Sequence, residues 1–290
     1  MTEDARAIIQ VNDLQHTYLR NTPLEVKALR GVTMEVYQGE AVGIIGRTGS
    51  GKSTIVQHFN GLIRDRARGK VIIDGQDMAD PSVNVRAIRQ KVGLVFQHPE
   101  QQLFERLVGD DIAFGPKKQG LPPEVRRERV RSAMEMVGLD FDRFKNRFTF
   151  SLSGGEMRKV AIAGVLALQP KVLILDESTS GIDPRGRKDL LGRILDLNRA
   201  RGITLVFVSP NMEEVAGVVS RIYVVEDGRT VMNGTTREVF AQPDALHRYG
   251  LGVPQVSAVA DALRKDGVSM PRTPLTVAEA EEDIWKILNS

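Results

Sequence analysis

The stretch Ile45-Gly46-Arg47-Thr48-Gly49-Ser50-Gly51-Lys52-Ser53-Thr54 constrains the fold more than any other part of the chain. It fits the pattern G-x-x-x-x-G-K-[ST]. The run before it, Glu40–Ile45, is mostly apolar and reads as a buried strand; the run after it, Ser53–Phe59, reads as the first turns of a helix. At such a junction glycines let the backbone turn several N–H groups toward one anion, and the helix N-terminus adds partial positive charge. Lys52 can then reach β- and γ-phosphates, and the Ser53 hydroxyl can ligate Mg²⁺. A glycine turn that merely precedes a lysine needs neither flank. Strand, glycine loop and helix together predict an α/β fold that holds a nucleoside triphosphate.

Composition narrows the rest. A chain of 290 residues suits one large α/β domain, or a domain with a small appendage. With no cysteine, disulfides and thiolate metal sites are excluded, which agrees with a cytoplasmic setting. The longest apolar runs, Val160–Leu168 and Val172–Leu175, are core-sized and fall short of the roughly 20 residues a membrane span needs. The first residues are acidic and polar, unlike a signal peptide. A net charge of +3 and 5% aromatic residues argue against nucleic acid as a partner.

Hydrophobic periodicity then orders the chain. Ala7–Gln15 and Ala28–Tyr37 read as strands, with a Pro23-containing loop over 21–26. The phosphate-loop helix is expected to run to about Leu62, followed by a charged turn over Arg64–Lys70 that reads as solvated. Val71–Ile73, Val92–Phe96, Val172–Leu175 and Ile203–Val208 read as strands. Val85–Lys91, Val125–Val137, Met157–Leu168, Gly186–Arg201 and Glu213–Val219 read as helices. A hairpin is predicted around Asp227-Gly228. Strands alternating with helices argue for a mostly parallel sheet. Past about residue 240 the composition shifts to linker-like turns and two further helices, Gln255–Lys265 and Val277–Leu288.

Two more motifs carry chemistry. The apolar strand at Val172 ends in Asp176 and Glu177. Asp176 would stand beside Mg²⁺, and Glu177 could polarise an attacking water. Leu152-Ser153-Gly154-Gly155-Glu156 precedes a long apolar helix, so Ser153 and the N–H groups of Gly154 and Gly155 form a second anion cradle.

That pentapeptide, with the phosphate loop and carboxylate pair in this order, resembles the signature of ATP-binding cassette ATPases. The resemblance implies a P-loop NTPase core with a mixed sheet, a helical signature subdomain and a small C-terminal dimerisation segment. It divides the chain into a nucleotide-binding domain over 1–240, with its helical subdomain at about 98–168, and a C-terminal helical segment over 241–290. It also implies a head-to-tail dimer with ATP sandwiched between protomers, Ser153–Glu156 serving the nucleotide on the other subunit. Carried over residue by residue, Tyr18 stands where the family places an adenine-stacking aromatic. Gln97 matches the glutamine that contacts Mg²⁺ and the attacking water, and Ser180-Gly181-Ile182-Asp183 matches a loop that crosses the dimer interface.

One departure stands out. The family carries a switch histidine after the strand that here is Ile203–Val208, but this chain reads Val208-Ser209-Pro210-Asn211-Met212. Proline has neither an imidazole nor an N–H. The histidines of the chain, at 16, 58, 98 and 247, all lie elsewhere. Either the chain's own site hydrolyses ATP poorly, or Ser209 or Asn211 partly substitutes; the first reading is preferred. Ser178 is a smaller departure, since the family usually has proline there.

Phe96-Gln97-His98-Pro99-Glu100-Gln101-Gln102-Leu103-Phe104, running into Val108–Pro116, is similar to the energy-coupling factor transporter ATPases, the EcfA/CbiO group. In that group this segment receives coupling helices, so Asp110 and Asp111 become candidate partners for basic residues, or else helix caps. Glu156–Ala167, the Tyr18–Leu29 insertion and the tail Leu251–Leu288 resemble the second of two paired ATPase subunits. The resemblance implies a second, non-identical ATPase, a transmembrane T component and a substrate-binding S component as partners. The chain would then sit peripherally on the cytoplasmic side of the cell membrane, powering uptake of vitamins or transition-metal ions. Rival readings are a homodimeric cobalt or nickel importer ATPase and a low-turnover regulatory ATP-binding module.

Overall fold

In the computed structural model, which describes residues 6–64 and 70–289, two long strands come first. β1 (Ala7–Tyr18) and β2 (Val26–Tyr37) pair antiparallel over most of their length. β3 (Ala41–Ile45) follows, buried throughout, and leads through the glycine loop into α1 (Lys52–Phe59). That helix stops short of Leu62 because Asn60 caps it and Gly61 turns away at φ +70°. Most of the predicted charged turn, 65–69, lies outside the described residues.

The short strands β4 (Val71–Ile73) and β5 (Gln76–Asp77), then α2 (Val85–Lys91) and β6 (Val92–Val95), lead to Gln97 and a 3₁₀ turn at Pro99–Gln102. A helical layer follows: α3 (Val108–Lys118), α4 (Pro123–Met136), the single turn α5 (Phe141–Phe144) and α6 (Gly154–Leu166). The chain re-enters the sheet as β7 (Val172–Asp176), crosses by α7 (Pro184–Arg201) to β8 (Thr204–Val208), and passes through α8 (Met212–Val218). The hairpin β9 (Arg221–Glu226) and β10 (Arg229–Thr235) precedes α9 (Thr236–Phe240), α10 (Pro243–Arg248), α11 (Gln255–Lys265) and α12 (Val277–Leu288).

The strands form one sheet in the order β5-β4-β1-β2-β10-β9-β3-β8-β7-β6. From β9 to β6 neighbouring strands run parallel, joined by crossovers through helices. The β1/β2, β1/β4, β4/β5 and β9/β10 pairs are antiparallel. The mostly parallel sheet that strand–helix alternation predicts is therefore corrected to the mixed sheet that the family resemblance implies. The connections β1–β2, β4–β5 and β9–β10 are too short for a crossover, so those pairs must run antiparallel.

Alternation along the central strands divides the core between the two sheet faces. Val42, Ile44, Val172, Ile174, Val206 and Val208 pack with Ile55, Val56 and Phe59 of α1 on one face. Ile45, Leu173, Leu175, Leu205 and Phe207 face the opposite core, shared with α3, α4, α6 and α7. Both faces being buried, the sequence shows continuous apolar runs here rather than alternation. The phosphate loop thus leaves a strand that is anchored on both sides. The last helices pack back on the body: Arg237 of α9 pairs with Glu279 of α12 at 2.8 Å, and Ser257 donates to Pro274 O at 2.6 Å. Among the described residues, no helix is long and apolar enough to cross a membrane.

Candidate nucleotide site

The glycine loop is shaped by contacts that exclude side chains. A Cβ at Gly46 would lie 2.2 Å from Val225 O and 2.6 Å from Ser50 Oγ. Gly51, the N-cap of α1, has φ +106°, and a Cβ there would meet Ala28 O at 2.8 Å. Gly49, also at positive φ, has nothing within 4 Å and leaves its side of the loop open. The tip of the β9/β10 hairpin braces the arrangement. Gly228 N donates to Ser50 O at 3.0 Å while Arg30 N donates to Gly228 O at 2.7 Å.

Lys52 is folded across this loop, 6% exposed, with Nζ donating to Gly46 O (2.9 Å) and Arg47 O (3.0 Å). Burial draws its pKa down, opposed by the nearby charges of Glu177 and Asp176. Asp176, buried at the end of β7, has one carboxylate oxygen, Oδ1, without a hydrogen-bond partner. Burial raises its pKa, and a hydrogen bond from Ser53 opposes the rise. A buried oxygen left unpaired is costly unless a ligand completes it.

Glu177 follows at φ +49°, a backbone region uncommon for residues other than glycine. Its N–H donates to Val208 O at 2.9 Å. Oε2 accepts from Gln97 Nε2 at 3.1 Å, and Oε1 lies 3.8 Å from Lys52 Nζ. The loop, the end of β6 and the end of β7 therefore converge.

They open on a cleft of about 380 Å³. Gly46, Arg47, Thr48 and Lys52 form one wall, Glu177 with Pro210 and Met212 another, and Gly250–Gly252 a third. The last wall went unread in the sequence, where Gly250–Pro254 looked like a linker. Gly250 has φ +66°, and a Cβ on it would sit 2.9 Å from Arg47 Cδ. The only local signal was the Gly-Leu-Gly spacing itself.

The residues of this cleft suit a magnesium nucleotide. Open loop N–H groups and a buried lysine match phosphate oxygens. Among the described residues no cluster of three or more His, Cys, Asp or Glu could hold a metal alone. Ser53, Asp176 and Gln97 would contribute one oxygen each, leaving the remaining positions of Mg²⁺ to phosphate and water. Thr54, beside Ser53, shares a hydrogen bond with the Tyr18 hydroxyl at 3.1 Å, which brings the Tyr18 ring next to α1.

Ser153–Glu156 lie apart from the cleft. Ser153 caps α6 in a reciprocal box. It accepts from Glu156 N (3.3 Å), and its own N–H donates to Glu156 Oε2 (2.8 Å). Ser153 and Gly154 are exposed, and Gly155 has open space where a side chain would be.

At the switch position Pro210 lines the cleft, whereas Ser209 and Asn211 do not. Ser209 Oγ donates to Glu214 Oε2 and accepts from Asn211 N. Asn211 Oδ1 accepts from Glu214 N and caps α8. Ser209 Oγ and Asn211 Oδ1 are thus both engaged in local structure. The two acidic candidates for coupling also separate. Asp111 is buried and accepts the Phe104 and Glu105 N–H groups at 2.9 and 2.8 Å. Asp110 lines a groove of about 670 Å³ together with Glu105, Phe114, Arg126 and Lys145. The expectation that Asp111 meets a partner is thus corrected: its charge holds the loop ahead of α3.

Fold and site together define an ATP-binding cassette. The ABC transporter family profile matches residues 29–180. Among solved structures, CbiO1 from Clostridium perfringens, described as part of the ABC transporter complex CbiONQ, superposes with a TM-score of 0.73. It is 32% identical, and the match covers 88% of this chain and 99% of that one. A dimeric ATP-binding cassette bound to ADP and Pi gives a TM-score of 0.71 at 28% identity, covering 79% of this chain and 99% of that one. Nearly full-length relatives sharpen the class. The energy-coupling factor transporter ATP-binding protein EcfA2 of Clostridium tetani is 43% identical over 97% of this chain and 98% of its own length. That of Clostridium perfringens is 45% identical over 97% and 99%. The chain belongs to the ABC transporter ATPases, among the ATP-binding proteins of energy-coupling factor transporters, and its reaction is ATP hydrolysis coupled to transport.

Proposed function

We propose that the chain is one of two unlike ATPases in an energy-coupling factor importer and that its own site binds ATP firmly but turns it over slowly. The observation that carries this reading is the convergence of Lys52, Gln97 and Glu177 on the glycine loop, facing Pro210 rather than a histidine. Bound Mg-ATP supplies the phosphoryl group and the metal charge that the site handles. The N–H groups of Gly46–Thr54 and the Lys52 ammonium hold the phosphates. Ser53, Asp176 and Gln97 face the metal, Glu177 accepts the proton of the attacking water at its carboxylate, and Tyr18 packs on the adenine. Swinging Lys52 from its two carbonyl partners onto phosphate exchanges neutral acceptors for a charged one, which strengthens its hydrogen bonds.

Ser153, Gly154, Gly155 and Glu156 are offered to the nucleotide of the other ATPase, in keeping with the exposure of Ser153 and Gly154 and with the absence of all four from the lining of the chain's own cleft. Residues 1–240 act as the nucleotide-binding domain, with 98–168 as its helical part. Residues 241–290 form a helical segment for dimerisation, whose exposed Val259, Val277, Trp285 and Leu288 give it an apolar surface. The groove at Asp110 receives the transmembrane T component, which carries an S component for a vitamin or a transition-metal ion. The chain is thereby held on the cytoplasmic face of the cell membrane.

Affinity purification of the tagged chain from detergent-solubilised membranes tests the assembly. Recovery of a second, different cassette ATPase in equal amount, together with a membrane protein, is the expected result. Recovery of a homodimer alone would move the assignment to the homodimeric metal importer. Recovery of neither would favour a free regulatory ATPase.

A further inference from the structure

Glu214 belongs to none of the motifs above, yet its side chain is only 11% exposed. It lies in the first turn of α8, just past Pro210. Its Oε2 receives the hydroxyls of Ser209 at 3.2 Å and Thr179 at 3.3 Å, and its Oε1 lies 2.9 Å from the Arg187 guanidinium. These partners come from three segments. Ser209 ends the strand that delivers Pro210. Thr179 stands two residues beyond Glu177. Arg187 belongs to the first turn of α7, which Asp183 caps through Gly186 N at 2.9 Å. An acid in the first turn of a helix complements its dipole, but the neighbouring, exposed Glu213 meets that need. Nothing about capping requires a second carboxylate to be buried beside two hydroxyls and an arginine, and its Oε1 has the Arg187 charge nearby without a hydrogen bond of its own.

The arrangement bears on Glu177. Its backbone at φ +49° has to be held by its surroundings. The hydrogen bond from Glu177 N to Val208 O fixes the front of the turn, and that from Ser180 N to Glu177 O, at 3.3 Å, closes it. Thr179 lies between, and its side chain is tied to Glu214. We propose that Glu214 is a positioning residue for Glu177: by holding Thr179 and Arg187 against the end of β8, it fixes the turn that aims the Glu177 carboxylate into the phosphate cleft. In a site without a switch histidine, this carboxylate link ties the strand end at Ser209 to the loop behind Glu177. The proposal rests on the reading of Glu177 as the proton acceptor.

The test uses the full-length chain in the assembly in which it purifies, with the partner ATPase's own hydrolytic site disabled by substitution so that turnover comes from this chain's site, and measures kcat and KM for Mg-ATP, ATP affinity and thermal unfolding. Displacement of a catalytic group by about 1 Å costs up to ~100-fold in rate. Glu214→Ala is expected to lower the Glu177-dependent kcat by about tenfold or more, with KM and ATP affinity within about twofold. Thr179→Val, which deletes a single hydroxyl, is expected to lower kcat several-fold at an unchanged melting temperature. Glu214→Gln retains an oxygen for both hydroxyls and is expected to recover most of the rate lost in Glu214→Ala. Should Glu214→Ala fail to fold, Thr179→Val decides, and full kcat in that variant overturns the proposal. So does a fall in melting temperature with kcat intact across the series. Glu177→Gln in the same assay separates the two readings. If it keeps full turnover, the assignment of Glu177 fails and the proposal with it. If it abolishes turnover while Thr179→Val and Glu214→Ala do not reduce it, only the positioning role is lost.

Discussion

Gln97 donates a hydrogen bond from Nε2 to Glu177 Oε2 across 3.1 Å, joining the loops that leave two neighbouring parallel strands, paired at Val95 and Leu175. The carboxylate is thereby oriented from a loop that also leads to the groove at Asp110. Glu177→Gln is expected to reduce kcat about 100-fold or more while ATP still binds, the scale of a lost general base. Gln97→Ala should reduce kcat less, because the bond from Glu177 N to Val208 O still holds the turn that points the carboxylate at the cleft. Single-turnover hydrolysis beside equilibrium ATP binding checks both. Equal losses of binding and rate would contradict the assignment.

Pro210 faces the cleft with no side-chain hydrogen-bonding group to offer, and Ser209 Oγ and Asn211 Oδ1 on either side of it are engaged elsewhere. Pro210→His restores an imidazole there, and steady-state turnover at saturating ATP is expected to rise about tenfold or more, below the roughly 100-fold at which the contribution of a fully positioned acid–base group begins. A wild-type chain that already turns over rapidly, and that the substitution leaves unchanged, would refute a slow native site.

Gly228 takes φ +70°, and a Cβ on it would lie 2.5 Å from Ala28 O. Gly228→Val should therefore destabilise the fold by about 2–4 kcal/mol, combining backbone strain with displacement of the turn. The same turn supports Ser50, so ATP affinity should fall in proportion. Thermal unfolding with and without Mg-ATP distinguishes the two effects. A variant with a lowered melting temperature and an undiminished ATP-induced shift would mean that the turn does not shape the loop.

The Glu156 carboxylate is held below its ordinary 4.5, chiefly by the Ser153 backbone N–H and further by the Ser153 hydroxyl and the Arg147 charge. As pH falls the unfolded chain takes up the proton first. The stabilisation is complete above about 4.5 and disappears as pH drops through the lower folded value. Glu156→Gln should melt below the wild type at pH 7, and the gap should narrow as the pH is lowered below about 4.5. Denaturant unfolding at several pH values reads this directly; a gap constant with pH would remove the charge from the explanation.

What could be read from the residues was what depends on short spacing. The glycine loop, the carboxylates at the end of Val172–Asp176 and the serine-capped helix at Ser153 each carry their geometry within a few positions, and the structure places each at the strand or helix end expected. Long-range pairing was not readable. Nothing in Ile222–Val225 specifies that β9 inserts between β3 and β10, and the strand–helix alternation concealed the antiparallel part of the sheet. The roles of Gly250 and Glu214 were hidden for a related reason. One serves by lacking a side chain beside Arg47, and the other by partners scattered from residue 179 to residue 209, so neither leaves a local pattern. Of the two carboxylates read as partner contacts or helix caps, only Asp110 lines the groove, and Asp111 is taken by the Phe104 and Glu105 N–H groups, a pairing that adjacent, identical residues do not announce.

The place of β9 and the Gly228 turn has a consequence for how the protein is made. The glycine loop is synthesised early, but its neighbouring strand β9 and the N–H that braces Ser50 belong to residues 221–228. At ribosomal rates of about 5–20 residues per second, the loop waits about ten to thirty seconds for the residues that complete it. A nascent chain carrying the whole motif would be unable to capture ATP until the hairpin has emerged, so nucleotide can stabilise this protein only once most of it exists.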